Sequence, residues 1–423
     1  MHRRAIALVG AVAMALTALT ACAPERAIDF AAPAQVDAEI PEATLSELQG
    51  AVTAAMTATG SSGAIVGVWV PWSGTWVAGL GTQKPGDDRE VSADMTFRVG
   101  DVTRAMTCDA LYEAVAAGTV KLEDSVTTYV SGVPDLKDVT LEQLCDGTAG
   151  IGSYQARLQS MWLGNPERVW NPRELASIGL GQARTTAPGA KWRDSDAGYI
   201  LLGLALEHAE RKNASELLAD SVFGPLGLES TSLHRGRTPW TSGVKALHGT
   251  VALKGSNGAY NCAEPLDATD VSTSTGFTDS GVVSTITDLG RYTQALALGA
   301  LAGDDAAAKS RWESPQMINT TTWLTTAGGA FQAGSLVGQY GAVPGYLTAA
   351  FADPATGLTV AVVLNNSAAG ASVPAHLAWE LAAIASKAPA AEGQTAPEFG
   401  LPWTAEQHHT AIQKAAVCTA PAS

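Results

Sequence analysis

The sequence predicts an α+β protein in which one antiparallel sheet is built from both ends of the chain, is flanked by helices, and receives a mostly helical inserted domain. Three observations predict it. Near the start, two β-rich runs, Ala64 to Val70 and Thr75 to Leu80, flank the turn Pro71-Trp72-Ser73-Gly74. Near the end, Tyr346 to Phe351 and Leu358 to Leu364 flank a second turn, Asp353-Pro354-Ala355-Thr356-Gly357. Between them the apolar periodicity is helical. A strand pair at each end with helices between is the pattern of a sheet closed by its two termini.

The elements follow in order. Thr44 and Glu47 form a capping-box pattern ahead of Leu45, Leu48, Val52 and Met56, a helical repeat that stops at Gly60. Trp69, Trp72 and Trp76 lie on or beside the first hairpin at strand spacing. That spacing reads as hairpin or core packing rather than as a sugar-stacking platform. Beyond Arg104 the pattern is helical to about Ala117, and Gly118 stops it. Further helices are read over Tyr199 to Arg211, Ile286 to Leu298 and Val373 to Ser386, with a short one from Thr404 to Cys418. The domain reading is a folded unit over 44–390, with a sheet part at 44–104 and 290–390 and a helical part at 105–289. A tail over 391–423 follows.

Composition supports an ordered fold. Of 423 residues, 46% are hydrophobic and only 16% charged. Arg3 and Arg4 precede an apolar stretch from Ala5 to Leu19 that is too short for a comfortable membrane span. Leu19-Thr20-Ala21-Cys22 then resembles a bacterial lipobox. Residues 1–21 read as a signal peptide, Cys22 as the lipidated first residue, and 22–43, rich in Ala and Pro, as a tether. The expected location is the extracytoplasmic face of the cell membrane, with the lipid as the contact. An ordinary cleaved signal with an incidental cysteine is the alternative. The formal charge is −15, or −17 once Arg3 and Arg4, the only charged side chains in residues 1–21, are removed. That balance argues against nucleic acid as a partner.

Without Cys22, four cysteines remain: Cys108, Cys145, Cys262 and Cys418. An even number in an exported chain predicts two disulfides, with three possible connectivities. No Cys-x-x-Cys spacing suggests a metal. His408 and His409 fall in the tail, where solvated surface is the expectation.

Several framework segments resemble, in order, the family of serine β-lactamases, penicillin-binding D-alanyl-D-alanine carboxypeptidases and related esterases. Phe97-Arg98-Val99-Gly100 has the setting of the nucleophile helix. Ala187-Pro188-Gly189 and Gly198-Tyr199-Ile200-Leu201-Leu202-Gly203 bracket the second motif. Gly224-Pro225-Leu226-Gly227-Leu228, Ser280-Gly281-Val282-Val283-Ser284-Thr285 and Val343-Pro344-Gly345-Tyr346 follow. The likeness covers roughly residues 60–367. It implies a β-lactamase/transpeptidase-like fold, no cofactor and no metal. It also places the helix carrying Cys108 beside the segment carrying Cys145, so that it favours Cys108–Cys145 and Cys262–Cys418 pairing. A disulfide closing the first loop would stabilise by about 3–4 kcal/mol in the chain-entropy picture.

Every catalytic segment of that family departs from its pattern. Where it has Ser-x-x-Lys, this chain has Asp101 and Arg104. Where it has Tyr-x-Asn, this chain has Asp194-Ser195-Asp196. Where it has Lys-Thr-Gly, this chain has Gln339-Tyr340-Gly341, followed by Ala342. The family's Leu-Leu-x-His-x-Ser-Gly reads Leu144-Cys145-Asp146-Gly147-Thr148-Ala149-Gly150, without its histidine and serine. An aspartate forms no stable acyl-ester, and an arginine takes no proton from a nucleophile at working pH. Ser242-Gly243-Val244-Lys245 repeats Ser-x-x-Lys out of order in a loop-like setting, and no Gly-x-Ser-x-Gly occurs.

No catalytic set is therefore intact. Asp101, Arg104, Asp194, Ser195, Asp196, Gln339, Tyr340, Gly341 and Ala342 are the candidate pocket residues. Arg104 stands at i, i+3 from Asp101, where side chains meet. Three fates follow for the crowded carboxylates: an internal ion pair with Arg104, capture of a cation, or paired-carboxylate acid–base hydrolysis. The expected function is a pseudoenzyme that binds or scaffolds at the cell envelope, with a peptidoglycan peptide or an envelope protein as partner. The alternative is an active serine hydrolase (esterase, β-lactamase or D,D-peptidase-like) with unrecognised catalytic residues.

Overall fold

The computed structural model describes residues 28, 30, 32–184, 186–236, 239–301, 310–398 and 400–418. Cys22 and the signal segment lie outside them, as does part of the tether.

Both chain ends meet in one antiparallel sheet. The first hairpin is β1 (Gly63–Val70) and β2 (Gly74–Gly81). Short strands follow: β3 (Phe97–Arg98), β4 (Ser232–Leu233), β5 (Thr250–Val251), β6 (Leu266–Asp267) and β7 (Val282–Ser284). The C-terminal half adds β8 (Gln316–Met317), β9 (Leu324–Ala327), β10 (Ala330–Ala333), β11 (Leu336–Val343), β12 (Tyr346–Ala352) and β13 (Thr359–Leu364). The main sheet runs β2-β1-β13-β12-β11-β10-β9-β8. The β1–β13 pair joins the termini in register, Val66 opposite Val362. β13 is buried along its whole length because both of its faces are covered, which is why it reads as a continuous apolar run rather than an alternation.

Helices Glu42–Thr59 and Ser372–Ala385 cover one face, where Val66, Leu347, Val362, Leu377 and Trp379 share a core. The other face, with Ile65, Ala361 and Val363, joins the core of the helical part, which includes Met106, Leu111, Leu202 and Tyr292. The Ile286–Leu298 helix has the ends read from the sequence. Trp72 and Trp76 are buried, as hairpin packing requires.

The first helix starts earlier than expected. It begins at Glu42 after Pro41, with no side-chain cap, so Thr44 and Glu47 lie inside it and form no capping box. Proline's fixed φ at the entry does the work assigned to Thr44. Its end at Gly60, in the left-handed conformation, is as read.

Both disulfides join the expected partners, Cys108–Cys145 and Cys262–Cys418. The tail helix Ala405–Lys414 packs on Ser372–Ala385 and corrects the solvated reading of His408. That residue is 5% exposed, with its Nδ1 3.0 Å from His376 Nδ1 and its ring among Trp379 and Trp403. A neutral imidazole fits an aromatic seam because it carries no charge to desolvate, and burial pushes the His408 pKa down to about 3. His409 stays partly exposed and meets Glu380 Oε1 at 3.0 Å.

The helix Asp196–Glu210 crosses the Phe277–Ser280 turn closely enough that a Cβ on Gly203 would overlap the Thr278 side chain. Gly203→Ala is therefore expected to lower the unfolding free energy by about 1–3 kcal/mol, as overpacking does. Urea denaturation followed by tryptophan fluorescence measures it.

Candidate functional site

The site begins at a turn. β3 ends at Arg98, Gly100 takes a positive φ of 59°, and the helix Val102–Ala116 starts with Asp101 at its N-cap position. One turn on, Arg104 points back into the same pocket. Its side chain is 7% exposed and is shared among four carboxylates. Nε donates to Asp279 Oδ1 at 2.8 Å, and one terminal nitrogen donates to Asp194 Oδ1 at 2.6 Å. The other donates to Asp196 Oδ1 at 3.2 Å and lies 3.6 Å from Asp101 Oδ2. The Tyr199 ring lies beneath the guanidinium, 4.9 Å from its centroid, and the Tyr199 hydroxyl donates to the Cys145 carbonyl. A planar fork with five donors can hold this many acceptors at once, and an ammonium cannot.

Each carboxylate arrives from a different element. Asp196 opens the helix Asp196–Glu210, and its second oxygen accepts the backbone N–H groups of Tyr154 and Gln155 at the start of the helix Gln155–Gly164. Ser153 Oγ also donates to Asp196 Oδ1, at 3.1 Å. Asp194 sits at the mouth, its side chain 57% exposed. Ser195, between them, caps its own helix by accepting the Gly198 N–H at 3.1 Å. Asp279 was missed by sequence reasoning. It lies one residue before the Ser280-Gly281-Val282-Val283 segment, and nothing in that position marks it as facing Arg104 across 175 residues.

The sheet supplies the far wall. Gly341 on β11 faces Asp101, and a Cβ there would overlap the Asp101 carboxyl carbon, so the glycine gives the aspartate its room. Gln339 lies buried in the sheet's own hydrogen bonding. Its Nε2 donates to the Gly329 carbonyl at 2.6 Å and its Oε1 accepts the Tyr340 N–H at 2.8 Å. The Tyr340 ring stacks on Phe331 at 4.8 Å and meets Trp379 edge-on, and burial pushes its hydroxyl up to about 12. The Ala342 carbonyl accepts the Gln155 side-chain amide at 3.0 Å. Asp101, Arg104, Asp194, Asp196, Gly341 and the unforeseen Asp279 thus converge, while the functional groups of Ser195 and Gln339 are occupied elsewhere.

Charge in this pocket is dominated by burial. Burial disfavours the Arg104 cation, but the carboxylates of Asp101, Asp279, Asp194 and Asp196 outweigh it and hold its pKa well above the usual value. Burial likewise raises the Asp101 carboxyl well above the normal carboxylate range, against the attraction of Arg104. Asp279 is pushed up to about 7, again by burial first. Asp101 Oδ1 and Asp279 Oδ2 are buried with no hydrogen-bond partner. The internal ion pair foreseen for Arg104 is present, and it takes in four carboxylates. Among the described residues no cluster of three or more His, Cys, Asp or Glu is arranged to hold a metal.

The Beta-lactamase family model matches residues 48–384. The chain belongs to the β-lactamase family. The D-alanyl-D-alanine-carboxypeptidase/endopeptidase AmpH of Escherichia coli K12 is 28% identical over 193 residues, 43% of this chain and 49% of that protein. Penicillin-binding protein 4* of Bacillus subtilis is 24% identical over 272 residues, 62% of this chain and 59% of that protein. The chain thus spans about half the length of the curated relatives it matches. A D-stereospecific amidohydrolase from Streptomyces shares the fold with a TM-score of 0.65 at 22% identity, covering 77% of this chain and 94% of that one. The octameric penicillin-binding protein homologue from Pyrococcus abyssi does so at 0.63 and 19%, covering 79% and 75%.

Two outcomes follow from the ion cluster. Arg104→Met removes the one cation from four carboxylates and is expected to cost about 3–5 kcal/mol, measured by urea unfolding at pH 7.5. Asp279 holds its proton more tightly folded than unfolded, so its contribution favours the folded state at low pH and is lost as pH rises from about 4 through 7. Asp279→Asn is expected to make the fall in stability over that window shallower. Asp101, Asp196 and Asp146 titrate in the same direction and keep part of the slope.

Proposed function

We propose that this β-lactamase-family protein is a pseudoenzyme: a lipid-anchored binding or scaffolding protein of the cell envelope that performs no acyl transfer. One observation carries the reading. The position of the family's nucleophile holds an aspartate, and the position of its general base holds an arginine locked by four carboxylates. Acyl transfer needs a hydroxyl to attack the carbonyl and a neutral base to accept its proton. Arg104, with its pKa raised further by its partners, accepts none. The Asp101 carboxyl occupies the space in front of Gly341, where a substrate carbonyl would approach.

The serines nearest the cluster do not replace the missing nucleophile. Ser195 caps a helix. Ser153 donates to Asp196, a carboxylate that burial raises in pKa but whose oxygens are already taken up by Arg104 and two backbone N–H groups, so it belongs to the ion cluster and not to a separate serine–base pair. Ser242 and Lys245 lie in a turn, with Lys245 paired to Asp94 at 3.0 Å. The name of the D-alanyl-D-alanine-carboxypeptidase/endopeptidase relative makes a peptide ending in D-alanyl-D-alanine, as in a peptidoglycan peptide, the first ligand class to test, and an envelope protein the second.

The purified protein, treated with a fluorescent penicillin and with a fluorophosphonate, is expected to carry no covalent label in denaturing gels. An adduct mapped to any serine, Ser153 included, would overturn this reading in favour of a working hydrolase. Lipid attachment is tested by detergent phase separation. The full-length protein is expected in the Triton X-114 phase and a Cys22→Ser variant in the aqueous phase.

A further inference from the structure

The tether read over 22–43 is docked on the body along its later residues. Gln35 Nε2 donates to the carbonyls of Val70 and Gly74, at 2.9 and 3.0 Å. Val36 N–H donates to the Pro71 carbonyl at 3.1 Å, and Thr75 N–H donates to the Ala38 carbonyl at 2.9 Å. Glu39 pairs with Thr75 as a parallel bridge, and Ile40 is buried. Pro33 lies beside Pro71 and Gly357, where a Cβ on the glycine would come within 3.0 Å of both prolines. Nearer the start, Ile28 N–H donates to the Pro225 carbonyl at 2.6 Å, and the Phe30 ring centroid is 5.0 Å from Arg291 Cζ.

Strand register places these contacts at one end of the molecule. Gly341, which faces Asp101, pairs with Thr348, Thr348 with Val363, and Val363 with Ile65. That row marks the level of the pocket. Further along β1, Val70 pairs with Gly74, and Ala352 pairs with Thr359 on the same side of the row. From Ile65 to Val70 the strand advances about 17 Å. The turns that receive the strap therefore stand well away from the pocket. Gly290, next to Arg291, packs on the Trp69 ring, which also lies on the turn side of that row. At the pocket end, beside the ion cluster, an open cleft of about 520 Å³ is lined by Gln155, Ala342, Pro344 and Ala371 among others. The helix Ser372–Ala385 leads from that cleft to the turns, where the Ala388 carbonyl accepts the Trp72 indole N–H at 3.0 Å.

We infer that this docked strap holds the turn end of the sheet toward the lipid bilayer and the pocket end away from it. The inference rests on the reading of Cys22 as the lipidated residue, and not on whether the protein turns over a ligand. Six residues separate Cys22 from Ile28, a reach of at most about 22 Å. A free tether over 22–43 would reach about 75 Å and let the body tumble. Docking removes most of that freedom, and the lipid then pulls on the turn side alone. Charge does not set the orientation, because the turn end exposes Asp37, Glu39 and Glu392 against Lys387. The surface that meets the bilayer is chosen by where the chain leaves the body. Pocket and cleft are thereby presented to molecules that lie beyond the membrane surface.

The test uses the full-length protein in its lipidated form, reconstituted in phosphatidylcholine vesicles that carry an acceptor dye on their head groups. A donor dye is attached through Ala355→Cys at the turn end or Ser372→Cys at the pocket end. Both positions are exposed, and the remaining cysteines are taken up by the lipid and by two disulfides. Energy transfer at equal acceptor density is expected to be at least twofold greater from position 355. A flexible insert of about twenty Gly and Ser residues between Cys22 and Ile28 is expected to abolish the difference. A smaller ratio, greater transfer from position 372, or a difference that survives the insert overturns the inference. Protein that stays in the aqueous phase of the detergent separation refutes the lipid anchor and this orientation together. Anchored protein without the expected ratio refutes the orientation alone.

Discussion

The ion cluster at Arg104 determines what the rest of the pocket can be. One guanidinium holds carboxylates from the nucleophile-position helix, from the loop and helix that carry the second motif, and from the Phe277–Ser280 turn. These elements belong to distant parts of the chain, and a single side chain ties them together at the junction of sheet and helical part. Such a pair gains its energy from completeness. The charges have left water, so each is favourable only while its partners remain. Burial first, and the neighbouring carboxylates after it, raise the Asp101 and Asp279 carboxyls above their ordinary range despite Arg104.

The ion cluster and the open cleft beside it differ in what lines them. The slot where covalent chemistry would occur is closed by its own charges, whereas the neighbouring space along the end of β11 stays open. Gln155 marks the border. Its backbone N–H holds Asp196 on the closed side, and its side-chain amide occupies the Ala342 carbonyl on the open side. The charged groups of the cluster thus stay out of the cleft, and only Gln155 and Ala342 touch both.

Much of the fold was legible because it depends on local signals. The two hairpins announced themselves through turn chemistry and β-rich runs, and the Ile286–Leu298 helix through its periodicity. The short strands β8 to β10 were not foreseen, since segments of two to four residues carry too little pattern. The first helix was misread at its start because Pro41 and a Thr-x-x-Glu pattern three residues later both resemble an entry. At the site, Asp101, Arg104, Asp194 and Asp196 were found because framework segments located their slots. Asp279 was not, since its role depends on a packing of turn against helix that no spacing encodes. His408 was misjudged for a related reason: tail residues are exposed only if nothing receives them, and His376, Trp379 and Trp403 do.

The bond from Cys262 to Cys418 ties the last described residue of the chain to an arm that begins more than 150 positions earlier. That arm, the segment from Val251 to Cys262, is also held where it starts, by Val251 paired with Leu266 and by the Ala252 N–H, which donates to Asn366 Oδ1 at 3.3 Å. Its far end is fastened only once these two thiols have been oxidised. In a compartment that keeps thiols reduced, the chain would lack both this tie and the Cys108–Cys145 bond. The tie that fastens this segment is therefore made only under oxidising conditions.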